Sequence, residues 1–359
     1  MKHLLVILVL LTGLSVFAQP KKDIAVIAYF FGTPEQADSV APKKLSHIIF
    51  SFCHLRGNKL GVDNTRDSLT IRKLVALKKI NPNLKVILSL GGWGGCAPCS
   101  DVFMAEAARK EFAQSVLDLC RYFGTDGIDL DWEYPTIEGH PGHTYRPEDK
   151  KNFTALIQAL RQTLGKKYEV SFAAGGFQKF LDESVDWKTI MPLVDRVNIM
   201  SYDLINGYST ETGHHTALYS RDGQKESADN AVQYLIRLGI PRDKLVVGAA
   251  FYARVWENVP DVNHGLYQSG KFKKGIDYRR WKNEFTKANG YESYWDDKAK
   301  APYAYNASQK LFATYDDPRS LQEKTQYVIN QKLNGIMFWA LGGDVQNNGL
   351  LDAINTAKK

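Results

Sequence analysis

The chain has 359 residues, 44% of them hydrophobic and 12% aromatic, an ordinary composition for a soluble globular protein of one large domain or two medium ones. The formal net charge is +7, or +6 once the single charge of Lys2 is subtracted with a cleaved leader. It is scattered in short runs (Lys43-Lys44, Lys150-Lys151, Lys271 to Lys274) rather than gathered in a basic stripe, so nucleic-acid binding has little support. The four cysteines, Cys53, Cys96, Cys99 and Cys120, are too few for a disulfide scaffold. Cys96-Ala97-Pro98-Cys99 has redox-motif spacing, and a local structural disulfide or plain buried thiols fit it as well.

Residues 1–19 have the features of a secretory signal. Lys2 and His3 precede an apolar run, and Val16-Phe17-Ala18 places small residues near a cleavage point. The run is short for a membrane span, and no later stretch could cross a bilayer. The expectation is an exported protein, periplasmic or extracellular, without membrane attachment after signal removal; a retained anchor helix is the alternative.

Apolar, β-rich runs then recur with helical patterns between them. Strands are predicted over residues 24–30, 45–52, 85–90, 127–133, 169–174, 196–202, 245–252 and 336–340. Most are continuously apolar, as strands buried on both faces should be. Helices are predicted over 69–79, 105–122, 147–164, 226–238, 318–333 and 350–356 from apolar spacings of three and four, with stop signals at Gly165, Gly239 and Asn334-Gly335. The alternation predicts an α/β fold, a (β/α)₈ barrel. An open doubly wound sheet is the alternative, although no GxGxxG follows the first strand. Residues 254–335 are too many for one connection. The aromatic density of 256–310 predicts a small inserted α+β subdomain after the seventh strand, within a catalytic unit of residues 20–359.

The most informative segment is Asp126-Gly127-Ile128-Asp129-Leu130-Asp131-Trp132-Glu133-Tyr134-Pro135. Asp129, Asp131 and Glu133 occupy alternate positions, so in an extended strand they share one face while Ile128, Leu130 and Trp132 share the other. Same-face neighbours lie about 7 Å apart. Like charges that close in a cleft raise the pKa of at least one member, which makes a carboxyl group able to donate a proton near neutral pH. A solvated amphipathic strand is the bland alternative, but acids are poor strand formers. A metal site would need ligands that no local His or Gly loop supplies, so no metal and no cofactor is expected.

In barrels the working residues sit at the C-terminal strand ends. Here those ends read Tyr29-Phe30-Phe31, Ser89-Leu90-Gly91-Gly92-Trp93, Glu133-Tyr134-Pro135, Met200-Ser201-Tyr202-Asp203, Tyr252-Ala253-Arg254 and Phe338-Trp339-Ala340. Each aromatic alone could be core. Collected at one rim around an acidic strand, they fit a sugar-binding cleft, with ring faces packing on pyranose faces.

The chain closely resembles the family-18 glycoside hydrolases, the retaining chitinases, in their chitinase-A-like branch. The family's DxxDxDxE pattern falls on Asp126, Asp129, Asp131 and Glu133; SxGG on Ser89, Gly91 and Gly92; MxYD on Met200, Tyr202 and Asp203; YxR on Tyr252 and Arg254; and the Trp ending the last strand on Trp339. The resemblance implies that Glu133 is the general acid and later the base, and that the substrate's own acetamide is the nucleophile. It further implies that Asp131 binds the acetamide N–H, Asp129 shares a proton with Asp131, and Tyr202 binds the acetamide oxygen. Asp203 and Arg254 would bind neighbouring sugar groups and Trp339 would floor the cleft. Tyr29, Phe52, Gly92, Trp93, Tyr134, Met200, Tyr252 and Trp295 would complete the substrate-binding set. Asp126, which has the wrong parity for the acidic face, is expected to be structural, with Ser89 and Gly91.

The implied activity is endo-type hydrolysis of chitin or chito-oligosaccharides by a monomer. The alternatives are an endo-β-N-acetylglucosaminidase on N-glycans, a chitin-binding lectin, and a redox protein using Cys96 and Cys99. Lectins of this kind usually lack the acid that stands here as Glu133. The pairs His140/His143 and His214-His215 match no zinc spacing and are expected in surface loops.

Overall fold

The computed structural model describes residues 23–359. The expected signal over 1–19 lies outside the described residues. All eight predicted barrel strands are present, among fourteen in the described residues: β1 (Ala25–Phe30), β2 (His47–Arg56), β3 (Lys59–Gly61), β4 (Lys85–Gly91), β5 (Gly127–Asp131), β6 (Glu169–Gly175), β7 (Arg196–Met200), β8 (Leu245–Ala250), β9 (Tyr252–Glu257), β10 (Lys271–Asp277), β11 (Glu292–Asp296), β12 (Ala301–Asn306), β13 (Leu311–Thr314) and β14 (Gly335–Trp339).

The parallel order β1-β14-β8-β7-β6-β5-β4-β2 closes through a β1–β2 pairing into an eight-stranded barrel, and the short β3 pairs antiparallel with the extended end of β2. The six predicted helices all form, as Thr65–Ala76, Glu106–Phe123, Asp149–Leu164, Ala228–Arg237, Pro318–Asn330 and Leu350–Lys358. Gly165 and Gly239, the predicted stops, take positive φ of 61° and 85°, the conformation glycine reaches without cost.

Two hydrophobic layers follow from strand alternation. Ile128, Leu130 and Trp132 face outward into the layer between barrel and helices. Ile27, Tyr29, Ile49, Ile87, Met200, Val246 and Met337 fill the barrel interior. Burying about a dozen large side chains in one layer at roughly 2 kcal/mol each makes this packing the dominant favourable contribution to the fold.

The predicted strand over 245–252 is two strands. β8 ends at Ala250, and Tyr252 opens a second sheet of order β10-β9-β13-β12-β11, antiparallel throughout, with the helix Tyr278–Glu284 packed beside it. At the break, the Phe251 N–H donates to the Trp339 carbonyl and the Phe251 carbonyl accepts from the Tyr278 N–H. One residue thereby joins the barrel rim to the insertion. The inserted sheet has its own core of Trp256, Val259, Leu266, Tyr303, Tyr305 and Phe312. Cys96 and Cys99 form a disulfide with Cα atoms 5.2 Å apart, while Cys53 and Cys120 are free and buried. Among the described residues no helix is long and apolar enough to cross a membrane.

Candidate active site

Register brings the polar interior together. In the parallel ladders Ser89 lies level with Asp129, Asp129 with Ser171, and Gly91 with Asp131. Level residues on adjacent strands point the same way, so their side chains meet inside the barrel. Asp129 is fully buried there. Its Oδ2 accepts from the Tyr29 hydroxyl at 2.9 Å and the Ser89 hydroxyl at 3.2 Å; its Oδ1 accepts from the Ser171 hydroxyl at 2.6 Å and the Asn198 amide at 3.0 Å. Burial raises its pKa, and these four donors oppose the rise. Ser171 and Asn198 escape a motif search. The available signal was a polar residue flanked by apolar ones inside each of two barrel strands.

Asp131 is buried in the same interior, and its Oδ1 has no hydrogen-bond partner among the described residues. Burial first, then the charges of Glu133 and Asp129, push its carboxyl well above the usual range. β5 stops at Asp131, two residues short of the predicted end, and Glu133 projects from the rim. Stripping of water by the surrounding protein pushes Glu133 up to about 7; a hydrogen bond with Tyr134 opposes this and the charge of Asp203 adds to it. Asp129 and Asp131 share the interior face of β5, and Glu133 follows beyond the strand's end, its charge reaching Asp131.

β7 likewise ends before the predicted boundary, at Met200, and Tyr202 and Asp203 lie beyond it. The Tyr202 hydroxyl is buried, 3.8 Å from the Met337 sulfur, and its pKa rises by burial and by the charges of Asp131, Glu133 and Asp203. Asp203 takes a left-handed φ of 54° and accepts two bonds from Arg254, Nε at 2.7 Å and Nη2 at 2.5 Å, in the planar fork that fits guanidinium to carboxylate. Burial would raise Asp203, but the His215 imidazole and the Arg254 guanidinium outweigh it and hold the carboxyl well below the usual range. The Arg254 guanidinium also lies over Tyr252 at 5.2 Å.

The aromatic floor is continuous. Phe52 stacks on Trp339 with centroids 5.6 Å apart and planes 14° apart, and Tyr29 and Phe31 flank the indole at 5.9 and 6.1 Å. Gly91 and Gly92 are dictated by close approach: a Cβ would stand 2.2 Å from the Asp131 carbonyl oxygen at Gly91 and 2.3 Å from the Phe52 ring at Gly92. After them Trp93 stands 48% exposed at the rim, edge-on to Tyr134 at 6.4 Å and to His140 at 5.4 Å.

Three expectations need correction or refinement. Trp295 is not part of this cluster. It lies on β11, the far edge of the inserted sheet, with its indole N–H bonded to Asp297 and one ring face covered by Arg319 at 3.8 Å. Aromatic composition alone cannot say which insertion residues turn toward the barrel. His214 and His215, expected in a surface loop, are buried at 1% and 0% exposure, because the inserted sheet covers the loop that carries them. Asp126 sits at the opposite end of β5, accepting from the Val86 N–H at 2.7 Å and pairing with Lys78 at 2.6 Å. There it ties the start of β5 to β4 and to Lys78. Among the described residues no group of His, Cys, Asp and Glu side chains could hold a metal ion.

The model of "Glycosyl hydrolases family 18" matches residues 25–344. Chitinase A1 of Niallia circulans is 37% identical over 298 residues, 76% of this chain, and the match spans 42% of that longer protein. Chitinase B of Serratia marcescens is 29% identical, covering 92% of this chain and 83% of the other. The solved family 18 N-acetylglucosaminidase from Paenibacillus barengoltzii superposes with a TM-score of 0.86 at 35% identity, over 93% of this chain and 100% of that one. With a family match over the whole barrel and insertion, this chain belongs to glycosyl hydrolase family 18.

Proposed function

We propose that this chain is a retaining, endo-type chitinase that cuts β-1,4-linked N-acetylglucosamine polymers with the help of the substrate's own acetamide. The observation that carries the reading is the Asp131–Glu133 pair. Burial lifts both carboxyls, the charge of Asp203 adding to it at Glu133 and those of Glu133 and Asp129 at Asp131, leaving Glu133 with a proton to give near pH 7 and Asp131 protonated beside it. A protonated carboxyl is no nucleophile, which leaves the attack to the substrate amide.

In the first step Glu133 protonates the glycosidic oxygen, which departs with the bonding electron pair. The acetamide oxygen meanwhile bonds to the anomeric carbon and forms an oxazolinium ring. Asp131 binds the acetamide N–H, and the proton it shares with Asp129 lets negative charge settle near the new cation. Tyr202 binds the acetamide oxygen. In the second step the Glu133 carboxylate takes a proton from water, whose oxygen attacks the anomeric carbon and reopens the ring with retention. Asp203 and Arg254 bind neighbouring hydroxyl or amide groups, Trp339 with Tyr29 and Phe52 floors the cleft, and Trp93 takes the sugar on the leaving side. Gly92, Tyr134, Met200 and Tyr252 shape the walls. A leader over 1–19 and export of the catalytic unit 20–359, with its insertion at 256–310, belong to the same reading.

The structural likeness to an N-acetylglucosaminidase supports a second reading, release of single sugars from chain ends. Digestion of chitohexaose separates the two: an endo enzyme yields dimers to tetramers at once, whereas an end-cutter yields monomer and pentamer. Early-time NMR of the products should show the β-anomer. An α-anomer product, or no turnover, would remove the proposal.

A further inference from the structure

The long connection from β7 to the helix Ala228–Arg237 contains a buried segment, residues 212–218, with no part in the reaction steps. It is held from one side by the inserted sheet and the chain that follows it, and from the other by Leu204, Gln224 and the start of the helix Ala228–Arg237. The Thr212 hydroxyl donates to the Gly265 carbonyl at 2.6 Å, His214 Nε2 lies 3.1 Å from Asp296, and the His215 N–H donates to the Thr314 hydroxyl at 3.2 Å. The Thr216 hydroxyl donates to Asp316 at 3.0 Å, and Lys324 Nζ reaches the same carboxylate at 2.6 Å.

From this strap one side chain points back to the active site. His215 is fully buried, its ring 5.2 Å from that of Tyr252 and its Nδ1 3.5 Å from Asp203 Oδ1. That is a long contact, weaker than a direct hydrogen bond in a resting geometry. Neither ring nitrogen has a better partner among the described residues. Asp203 itself occupies a left-handed backbone conformation, which a non-glycine residue keeps only where its surroundings impose it.

We infer that His215 is a positioning residue that fixes the Asp203 carboxylate against Arg254 within electrostatic reach of Glu133, and so carries the placement of the inserted sheet into the active site. The inference rests on the reading of Glu133 as general acid. The choice of imidazole has a physical reason. Burial holds His215 below its ordinary range, so the ring is neutral; it can turn an N–H toward Asp203 without cancelling its charge. The groups facing His215 are Asp203, Arg254 and Tyr252, with Asp316 and its partner Lys324 behind. Those facing Glu133 are Asp131, Tyr134, Tyr202 and Asp203. A loosened Asp203 acts more weakly on Glu133, whose pKa then falls.

The test uses the full chain with chitohexaose, comparing wild type, His215→Ala and His215→Gln. His215→Ala should lose roughly threefold or more in kcat/KM, the scale of a contact weaker than a full bond to a charged group, mostly in kcat. The basic limb of its pH profile should move to lower pH. His215→Gln, which restores an N–H donor, should recover most of the rate and return the limb, even if both variants melt earlier than wild type. Equal losses in the two variants, or an unmoved limb in His215→Ala, would overturn the inference. If His215→Ala does not fold, Thr314→Val removes the acceptor of the His215 N–H and should shift the limb in the same direction; an unmoved limb there also overturns it. Wild-type inactivity on the oligosaccharide would instead remove the proposed function, an outcome no His215 variant can mimic.

Discussion

Asp129 and Asp131 stand two residues apart on one face of β5, yet Asp129 accepts four hydrogen bonds whereas Asp131 Oδ1 accepts none among the described residues. The saturated carboxyl is a fixed anchor. The unsaturated one is the group that a cation arriving beside it would engage, since a buried acceptor without a donor is costly. The difference comes from neighbours: β1, β4, β6 and β7 each send one donor to Asp129.

Glu133→Gln should lower kcat on chitohexaose by at least about a thousandfold, within the range expected for loss of a general acid. Calorimetric binding of the oligosaccharide should persist, because the amide keeps the shape of the side chain. Substantial turnover by this variant would remove the proton-transfer scheme.

The pH dependence has a definite sign. Glu133 works in its protonated form, so kcat/KM should fall as pH rises through about 7. Stability follows the same linkage. A carboxyl whose pKa is raised on folding favours the native state fully below its unfolded pKa, and that contribution is lost as pH rises through the folded value. Glu133→Gln should therefore melt above wild type at pH 8, with the gap closing by pH 5. Scanning calorimetry at the two pH values checks this, and a gap of opposite pH trend would contradict it.

Gly92→Ala should cost about 1–3 kcal/mol in urea unfolding, from overpacking and an unfavourable φ of 80°. A Cβ there meets the Phe52 ring, which stacks on Trp339, so substrate affinity should fall as well. Unchanged KM would mean that the Phe52–Trp339 stack does not bear on the substrate.

Lys324→Met should destabilise the fold by about 3–5 kcal/mol, the usual cost of leaving a buried charge unpaired. Lys324 and Asp316 are both fully buried, and Asp316 also accepts from the Ala250 N–H at the end of β8. Denaturant midpoints with an unchanged slope would check that the loss is thermodynamic. A loss below about 1 kcal/mol would contradict the prediction.

Cellohexaose, which lacks the acetamide, should be cut far more slowly than chitohexaose. Comparable initial rates on the two would contradict participation of the acetamide, because no other nucleophile in the scheme replaces it.

The eight barrel strands and six main helices were legible because periodicity and continuous burial are local properties of a chain. The acid parity at Asp129 and Asp131 was legible for the same reason. Strand ends were misjudged at Glu133, Tyr202 and Tyr252, since strand-like patterning continues past the last ladder bond. The pair His214-His215 was misplaced because burial there is decided by the inserted sheet, whose strands are distant in sequence from what they cover.

By itself, then, the order of residues determined the barrel, its insertion and the chemical identity of the acidic strand. Only the tertiary structure decided which carboxyl is saturated and which is not, that Ser171 and Asn198 serve Asp129, and that a covered histidine faces Asp203. Those outcomes depend on charges and donors brought together from different strands, and proton affinity responds to distance in space rather than to separation along the chain.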